Sequence, residues 1–469
     1  MTSQSLETKK IKPIVVSLVA ALGGFLFGYD SAVINGATEA LRADFHATSA
    51  ILGFAVAAAL IGAAIGAFYG AQLADKYGRT NVMKVAAVLF FISCAGSGLA
   101  PEIYSLVAFR VLGGLGIGVA SIITPLYISE MSPANIRGRL SSLQQLAIVV
   151  GIFSSQLVNE RLLVAADGDA SNALWFDLHA WRWMLLVACI PALFYMLGAF
   201  MIPESPRYLV QAGKLAEARA IIARMPDTID VEEQVKRIQD SLASAARVPG
   251  FAALKGAVLG LKPIVWVGIA LAMLQQFVGI NVIFYYSNSL WMAVGFATED
   301  AFRISLITSL TNVVVTFIAI ALVDKWGRKP LLLTGSIGMT ISLATLAVAF
   351  SQAVEVAGEV SLPQPWGIIG LIAANLFVVF FGMSWGPVMW VMLGEMFPNA
   401  IKGPSLAIAG LFQWIANFLV TVSFPWLADT SLTVAYGMYA AFALISGIFV
   451  WKYIRETKGV ALEDMDEDI

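Results

Sequence analysis

The chain is a succession of apolar stretches, each long enough to cross a bilayer, and that repetition limits its fold more than any motif does. A membrane span needs ~20 mostly apolar residues. Twelve stretches meet that length, at about 14–36, 50–73, 82–100, 103–125, 140–159, 182–202, 262–286, 303–323, 331–351, 366–391, 404–424 and 433–454. Hydrocarbon offers backbone groups no partners, so lipid-crossing segments of this kind must be helical. Only 13% of the 469 residues are charged, against about 25% in soluble domains, which excludes a water-soluble fold. The expectation is an all-α membrane protein of twelve transmembrane helices in two six-helix halves, residues 1–203 and 262–469. A polar stretch, 204–261, separates them.

Orientation follows from the basic residues. The N-terminus, the even-numbered connections and the C-terminus hold 24 of the 29 Lys and Arg residues. The positive-inside rule then places both termini and the long loop in the cytoplasm. The polar N-terminal segment has no small-residue cleavage pattern after it and reads as the lead-in to a retained first span. Inside the loop, Val231, Val235, Ile238 and Leu242 recur at helical spacing, and GKLAEARAIIARM before them is also helical, which predicts a small layer of cytoplasmic helices.

The two halves carry the same punctuation. Asp75-Lys-Tyr-Gly-Arg79 follows span 2 and Asp324-Lys-Trp-Gly-Arg328 follows span 8. Glu130 and Arg137 after span 4 are matched by Glu395 and Lys402 after span 10, and Glu204 with Arg207 after span 6 by Glu456 after span 12. The equivalent positions lie 249 to 265 residues apart. This is a duplicated six-span unit in parallel orientation, an architecture of carriers that rock about a midplane site. The repeated charges predict ion pairs across the halves that latch the cytoplasmic side shut, each worth ~0–1 kcal/mol near the surface; the alternative is turn structure alone.

Two charges lie deep in the spans, Asp30 in GGFLFGYDSAVINGA and Arg110 in span 4. A charge in hydrocarbon is expensive and marks a functional site with a partner to be found. Counting from the outer span ends at 1.5 Å per residue puts both about 9–11 Å deep, where they can pair if spans 1 and 4 face each other. Burial disfavours a charged carboxylate and a nearby Arg favours it. Rocking that changed their separation would then swing proton affinity, whereas a static pair would only fix helix register.

Amides cluster elsewhere. Span 7 carries Gln275, Gln276 and Asn281 beside Gly279, followed by Tyr285 and Tyr286. Span 5 carries Gln144 and Gln145, and span 11 carries Gln413, Trp414 and Asn417. Uncharged donor–acceptor groups match the hydroxyls of a neutral polyol, and aromatic faces cover its C–H faces; the competing use is interhelical adhesion. Gly382, Gly386 and Pro387 in span 10 predict a hinge beside Trp385 and Trp390, or else a kinked packing helix. The pocket is expected to be separate from the Asp30 site.

At these motifs, with PESPRYL at 203–209, QQFVGIN at 275–281, SWGPVMW at 384–390 and ETKG at 456–459, the chain resembles the sugar porter branch of the major facilitator superfamily over nearly its whole length. Within that branch it is most similar to bacterial glucose:proton symporters, with xylose:proton symporters next. The resemblance implies sugar contacts at Gln145, Gln275, Gln276, Asn281, Trp390, Gln413, Trp414 and Asn417. It also implies outer gating by Tyr285 and Tyr286, and a proton site at Asp30 tuned by Arg110. The expected function is import of a monosaccharide, D-glucose, with a proton by alternating access; the alternatives are a sugar uniporter, a symporter of another sugar such as xylose or galactose, and a sugar sensor. The partners are then the sugar, the proton and the lipid bilayer of a bacterial inner membrane, with no nucleic acid, and the carrier works as a monomer. No cofactor or metal is expected, and two His with no nucleophile–base pattern give no support to an enzyme. Cys94 and Cys189 read as small core residues rather than a disulfide.

Overall fold

The computed structural model describes residues 10–132, 137–225, 230–245, 251–356, 359–398 and 401–457; the side chains of Arg137 and Asp324 lie outside the described set. Among the described residues twelve helices are long and apolar enough to cross a membrane. They are Pro13–Asp44, Ser49–Tyr77, Arg79–Gly98, Ile103–Met131, Leu143–Ala165, Ala180–Met201, Pro263–Tyr285, Thr298–Ala319, Arg328–Ser351, Trp366–Met396, Lys402–Thr430 and Leu432–Tyr453. They are spans 1 to 12, and each overlaps its predicted stretch.

Local chemistry sets where the helices begin. Pro13 and Pro263 open spans 1 and 7 at positions whose N–H would have no helical partner. Thr48 and Ser431 cap spans 2 and 12 through their hydroxyls, which accept from Ile51 N and Val434 N at 3.4 and 3.3 Å.

Small residues let the helices of the first half touch backbone to backbone. A Cβ at Gly62, Gly66, Gly114 or Gly118 would come within 2.0, 2.3, 1.9 and 2.1 Å of backbone oxygens on the facing span, so spans 2 and 4 interlock along two turns. Spans 1 and 5 approach in the same way at Gly28 and Gly151. With no hydrophobic drive between helices in lipid, such close packing supplies the adhesion.

The second half departs from this pattern. Span 7 is divided into Pro263–Phe277 and Ile280–Tyr285, with a further short helix at Ser287–Ala293. The division falls at Gly279, whose φ of 81° is left-handed and whose missing Cβ leaves room for the Tyr439 ring. Span 10 divides into Trp366–Gly382 and Trp385–Met396 at the predicted hinge, where Ser384 leaves helical geometry with φ −133° and ψ −88°.

At the end of the bundle that carries both termini, the 204–261 stretch forms short helices at Pro206–Gln211, Leu215–Ile222 and Val231–Ala245. The predicted amphipathic face is used: Val235 is buried with Leu209, Val210, Ala218 and Ile222, and Val231, Ile238 and Leu242 pack against them. On the wet side Arg219 grips Glu232 through two bonds of 2.6 and 3.0 Å, which holds the Glu232 carboxyl below its ordinary proton affinity and raises that of Arg219. Ile11 N donates to Arg224 O at 2.9 Å and ties the start of span 1 to this layer.

Candidate functional site

Asp30 and Arg110 are both buried, and Arg110 Nη1 lies 3.7 Å from Asp30 Oδ1. The matching depths read from the sequence are met by contact. The separation exceeds hydrogen-bond length, so the pair is held by charge alone. Arg110 has its own anchor, with Nη2 donating to Val56 O of span 2 at 3.3 Å, a reach that the interlocked spans 2 and 4 make possible. A proton added to Asp30 therefore cancels an attraction without stripping Arg110 of its backbone partner.

Phe27, Asp30 and Ser31 share one face of span 1 and, with Arg110 behind them, wall a crevice whose other side is Tyr285 and Trp414. Phe27 meets Trp414 edge to face at 5.5 Å. Tyr285 and Ser31 both line this crevice. This corrects the expectation of two separate sites: positions i, i+3 and i+4 of a helix face the same way, so the charge pair and the aromatic end of the amide cluster share a wall.

The amides form one connected set. Asn281 Nδ2 donates to Gln276 Oε1 at 2.6 Å, Gln276 Nε2 to Gln275 Oε1 at 3.0 Å, and Gln413 Nε2 to the same Gln275 oxygen at 2.7 Å. Gln275 Nε2 donates in turn to Trp385 O at 2.9 Å and Gly386 O at 3.4 Å, the first carbonyls after the span 10 break. Gln275 is thus a hub that joins span 7, span 11 and the hinge. Asn417 accepts from Thr421 Oγ1 at 3.1 Å. Gln145 is half-buried, and its neighbour Gln144 is the one bonded across to span 4, at Ser121 O, 3.2 Å.

The predicted aromatic residues divide in two. Trp390 is 41% exposed, whereas Trp385 is fully buried with its indole N–H on Leu332 O and Ser336 Oγ of span 9 at 3.1 and 2.9 Å. Trp385 is thus anchored to span 9 and does not line the crevice. Tyr285 faces the first half across the crevice, while Tyr286 donates to Thr421 O at 3.0 Å and stacks on Phe424 at 5.1 Å within the second half.

Among the described residues the repeated charges pair inside each half, where a latch across the halves was expected for a closed cytoplasmic side. Arg79 holds Glu130 through two bonds of 3.0 Å, lies 3.1 Å from Asp75, and has Arg207 on the far side of Glu130 at 3.9 Å. Glu204 accepts from Arg79 N at 3.0 Å, at the N-terminus of span 3. The twin repeats this: Arg328 holds Glu395 at 3.0 and 2.8 Å, and Glu456 accepts from Arg328 N and Lys329 N at 3.0 Å, at the N-terminus of span 9. The positive end of each helix dipole holds a carboxylate, which keeps the partners local. Lys402 opens span 11. Arg137 opens the helix of span 5, but its side chain and that of Asp324 lie outside the described residues.

At the opposite end of the bundle the halves do meet, through residues that sequence reasoning passed over. Asn35 Nδ2 reaches Gln156 Oε1 and Ser305 Oγ at 3.4 Å each, and Asn35 Oδ1 accepts from Asn288 N at 3.0 Å. Ser305 Oγ donates to Asn288 Oδ1 at 2.6 Å. All four residues are buried. Span 2 also closes on span 11 there, with Ser49 bonded to Asp429. At the termini-bearing end, by contrast, a Cβ at Gly394, Gly403 or Gly410 would meet no described atom within 4 Å. The signal for the knot was present as polar residues in apolar spans; being uncharged, they carried no flag.

Twelve spans in a duplicated scaffold around a crevice that holds a buried ion pair define an integral membrane carrier of the major facilitator type. The chain belongs to the family described as Sugar (and other) transporter, which matches residues 16–469. It is 51% identical over 466 residues to the glucose transport protein of Synechocystis sp., covering 99% of both chains. It is 38% identical to the D-xylose-proton symporter of Escherichia coli K12, covering 96% of this chain and 94% of that one. The partially occluded inward open structure of the xylose transporter XylE from E. coli superposes with a TM-score of 0.81 at 36% identity, covering 96% of this chain and 99% of that one.

Proposed function

We propose that the protein imports a monosaccharide, D-glucose, together with a proton by alternating access in the inner membrane of a bacterium, working as a monomer with both termini in the cytoplasm. The observation that carries this reading is the Asp30–Arg110 pair opening onto the same crevice as Tyr285 and Trp414. Similarity to a glucose transport protein supports the hexose, and similarity to a xylose-proton symporter supports the coupling ion. Residues 1–203 and 262–469 are the two rocking units and 204–261 the helical linker.

Asp30 takes the proton when the crevice faces outward, the step at which Arg110 is least able to compete for the carboxylate. The sugar replaces protein–protein bonds among Gln276, Asn281 and Gln413, with Gln145 across the cleft and Trp390 and Trp414 against its apolar faces. Loss of the Asn281–Gln276 and Gln413–Gln275 bonds is felt at the hinge through Gln275. Release inward returns Asp30 to Arg110. The conformation described is the one closed outward by the Asn35 knot and by Tyr285, and the ion clusters at Arg79 and Arg328 brace each half so that it moves as a body.

The test is proton uptake by right-side-out vesicles on adding glucose. Alkalinisation of a weakly buffered medium, with glucose accumulating above equilibrium only while a proton gradient is held, is expected. Glucose equilibration with no pH change would leave a uniporter.

A further inference from the structure

The two cysteines of the chain sit 95 residues apart and read as unrelated core positions in the sequence. The fold brings them together. Cys94 on span 3 is buried and Cys189 on span 6 half-buried, both as free thiols. Cys94 and Cys189 sit on helices that pack directly against each other. The Cys189 Sγ is also 3.9 Å from Phe91 O, one turn before Cys94, so the Cys189 thiol lies over the turn of span 3 that carries its partner. Spans 3 and 6 pack side by side in the first half. A thiol pair of this kind has no part in binding sugar or proton in the scheme above.

We infer that Cys94 and Cys189 form a thiol pair that hydrogen peroxide oxidises to a disulfide linking span 3 to span 6. Cys189, the less enclosed of the two, reacts first. Its sulfur attacks one peroxide oxygen, the O–O bond breaks, an S–O bond forms, and the thiol proton leaves with the departing oxygen as water. Cys94 then attacks the sulfenic sulfur: the S–S bond forms, the S–O bond breaks, and the hydroxyl departs as a second water with the Cys94 proton. Two electrons pass from the thiols to the peroxide. A sulfenic acid with a resolving thiol beside it condenses rather than climbing to the irreversible acids. Hydrogen peroxide is small and neutral, which lets it reach a pair set within lipid.

The experiment uses the full chain in native membrane vesicles, treated with hydrogen peroxide, denatured, and labelled with a maleimide-polyethylene glycol that adds one mass step per free thiol. Untreated protein should carry two labels, oxidised protein none, and dithiothreitol should restore both. A tryptic digest of the oxidised protein should contain the peptides around 94 and 189 joined. Cys94→Ser should leave Cys189 trapped by dimedone as the sulfenic acid, and Cys189→Ser should give little dimedone adduct. Two labels remaining after peroxide, a loss that dithiothreitol does not reverse, or a cross-link that joins two chains would overturn the proposal. The wild-type labelling decides the matter even if a serine variant is poorly made.

Discussion

The two halves derive from one repeated pattern, yet they are built to different ends. Spans 1, 2 and 4 of the first half run unbroken, interlocked at glycines, and hold the buried ion pair. The corresponding spans 7 and 10 of the second half are each broken, and the amides of the pocket hang on those breaks. A charge pair needs a rigid frame, because its energy varies steeply with distance and environment. A sugar site needs backbone that can move when amide bonds are exchanged for sugar hydroxyls. In the proposed scheme the duplicated scaffold thus divides its labour: the first half reads the proton and the second half yields to the sugar.

The largest expected effect tests the first half. Asp30→Asn keeps the shape of the side chain and removes its charge, mimicking the protonated state permanently. Accumulation against a gradient should vanish in proteoliposomes with an imposed pH difference, while exchange of labelled for unlabelled glucose continues. Retained accumulation would mean that Asp30 only sets helix register. Next come the twin ion clusters, which ought not to be equal. Arg79 and Glu130 are 2% and 6% exposed, Arg328 and Glu395 13% and 28%. Breaking a buried pair leaves an uncompensated charge at a cost of about 3–5 kcal/mol, whereas a half-wet pair is worth at most about 1 kcal/mol. Arg79→Ala should lower the thermal midpoint in detergent far more than Arg328→Ala does; equal losses would contradict the asymmetry.

Much of this was legible from the sequence. The twelve spans, their parity and the repeated motifs follow from apolar length and spacing, because lipid leaves so few alternatives. Asp30 and Arg110 announced themselves as charges in apolar spans, and continuous helices let their depth be counted. The partners of Arg79 could not be read in this way. Glu130 and Glu204 are matched by Glu395 and Glu456, and nothing in a repeat says whether a charge pairs within its own unit or with the other; a helix N-terminus at span 3 decided it. The Asn35 knot was illegible for a similar reason, since its four members lie on spans 1, 5 and 8 and on the helix after span 7, and only the closed packing unites them. The shared crevice was missed because Phe27 and Ser31 gain meaning only from the face of span 1 they occupy with Asp30.

The second half is tested more finely at Gln275. Gln275→Leu keeps bulk but strips Trp385 O and the amides of Gln276 and Gln413 of a partner. Each buried group left unmatched costs about 1–3 kcal/mol, so the KM for glucose should rise by about tenfold, near 1.4 kcal/mol, and turnover should fall with it. Gln413→Leu, which removes one spoke and leaves the hinge bonds, should raise KM and spare turnover. A Gln275 variant with lowered thermal stability but unchanged KM would return the amide set to interhelical adhesion.

The smallest expected effect is a null one, and it bears directly on rigidity. Spans 3 and 6 both belong to the first half, so a bond between Cys94 and Cys189 restrains no motion that alternating access requires. Once the disulfide has been verified by labelling, glucose exchange by the oxidised carrier should stay within about twofold of the reduced rate, a difference of about 0.4 kcal/mol in the barrier. A covalent tie across the halves would behave differently. Oxidation to the disulfide of an engineered pair in Asn35→Cys, Asn288→Cys, with both native cysteines replaced by Ser, should arrest exchange, because it fixes the far end shut. If the native disulfide also arrested exchange, span 3 would have to slide against span 6 during transport, and the first half could no longer be the rigid partner.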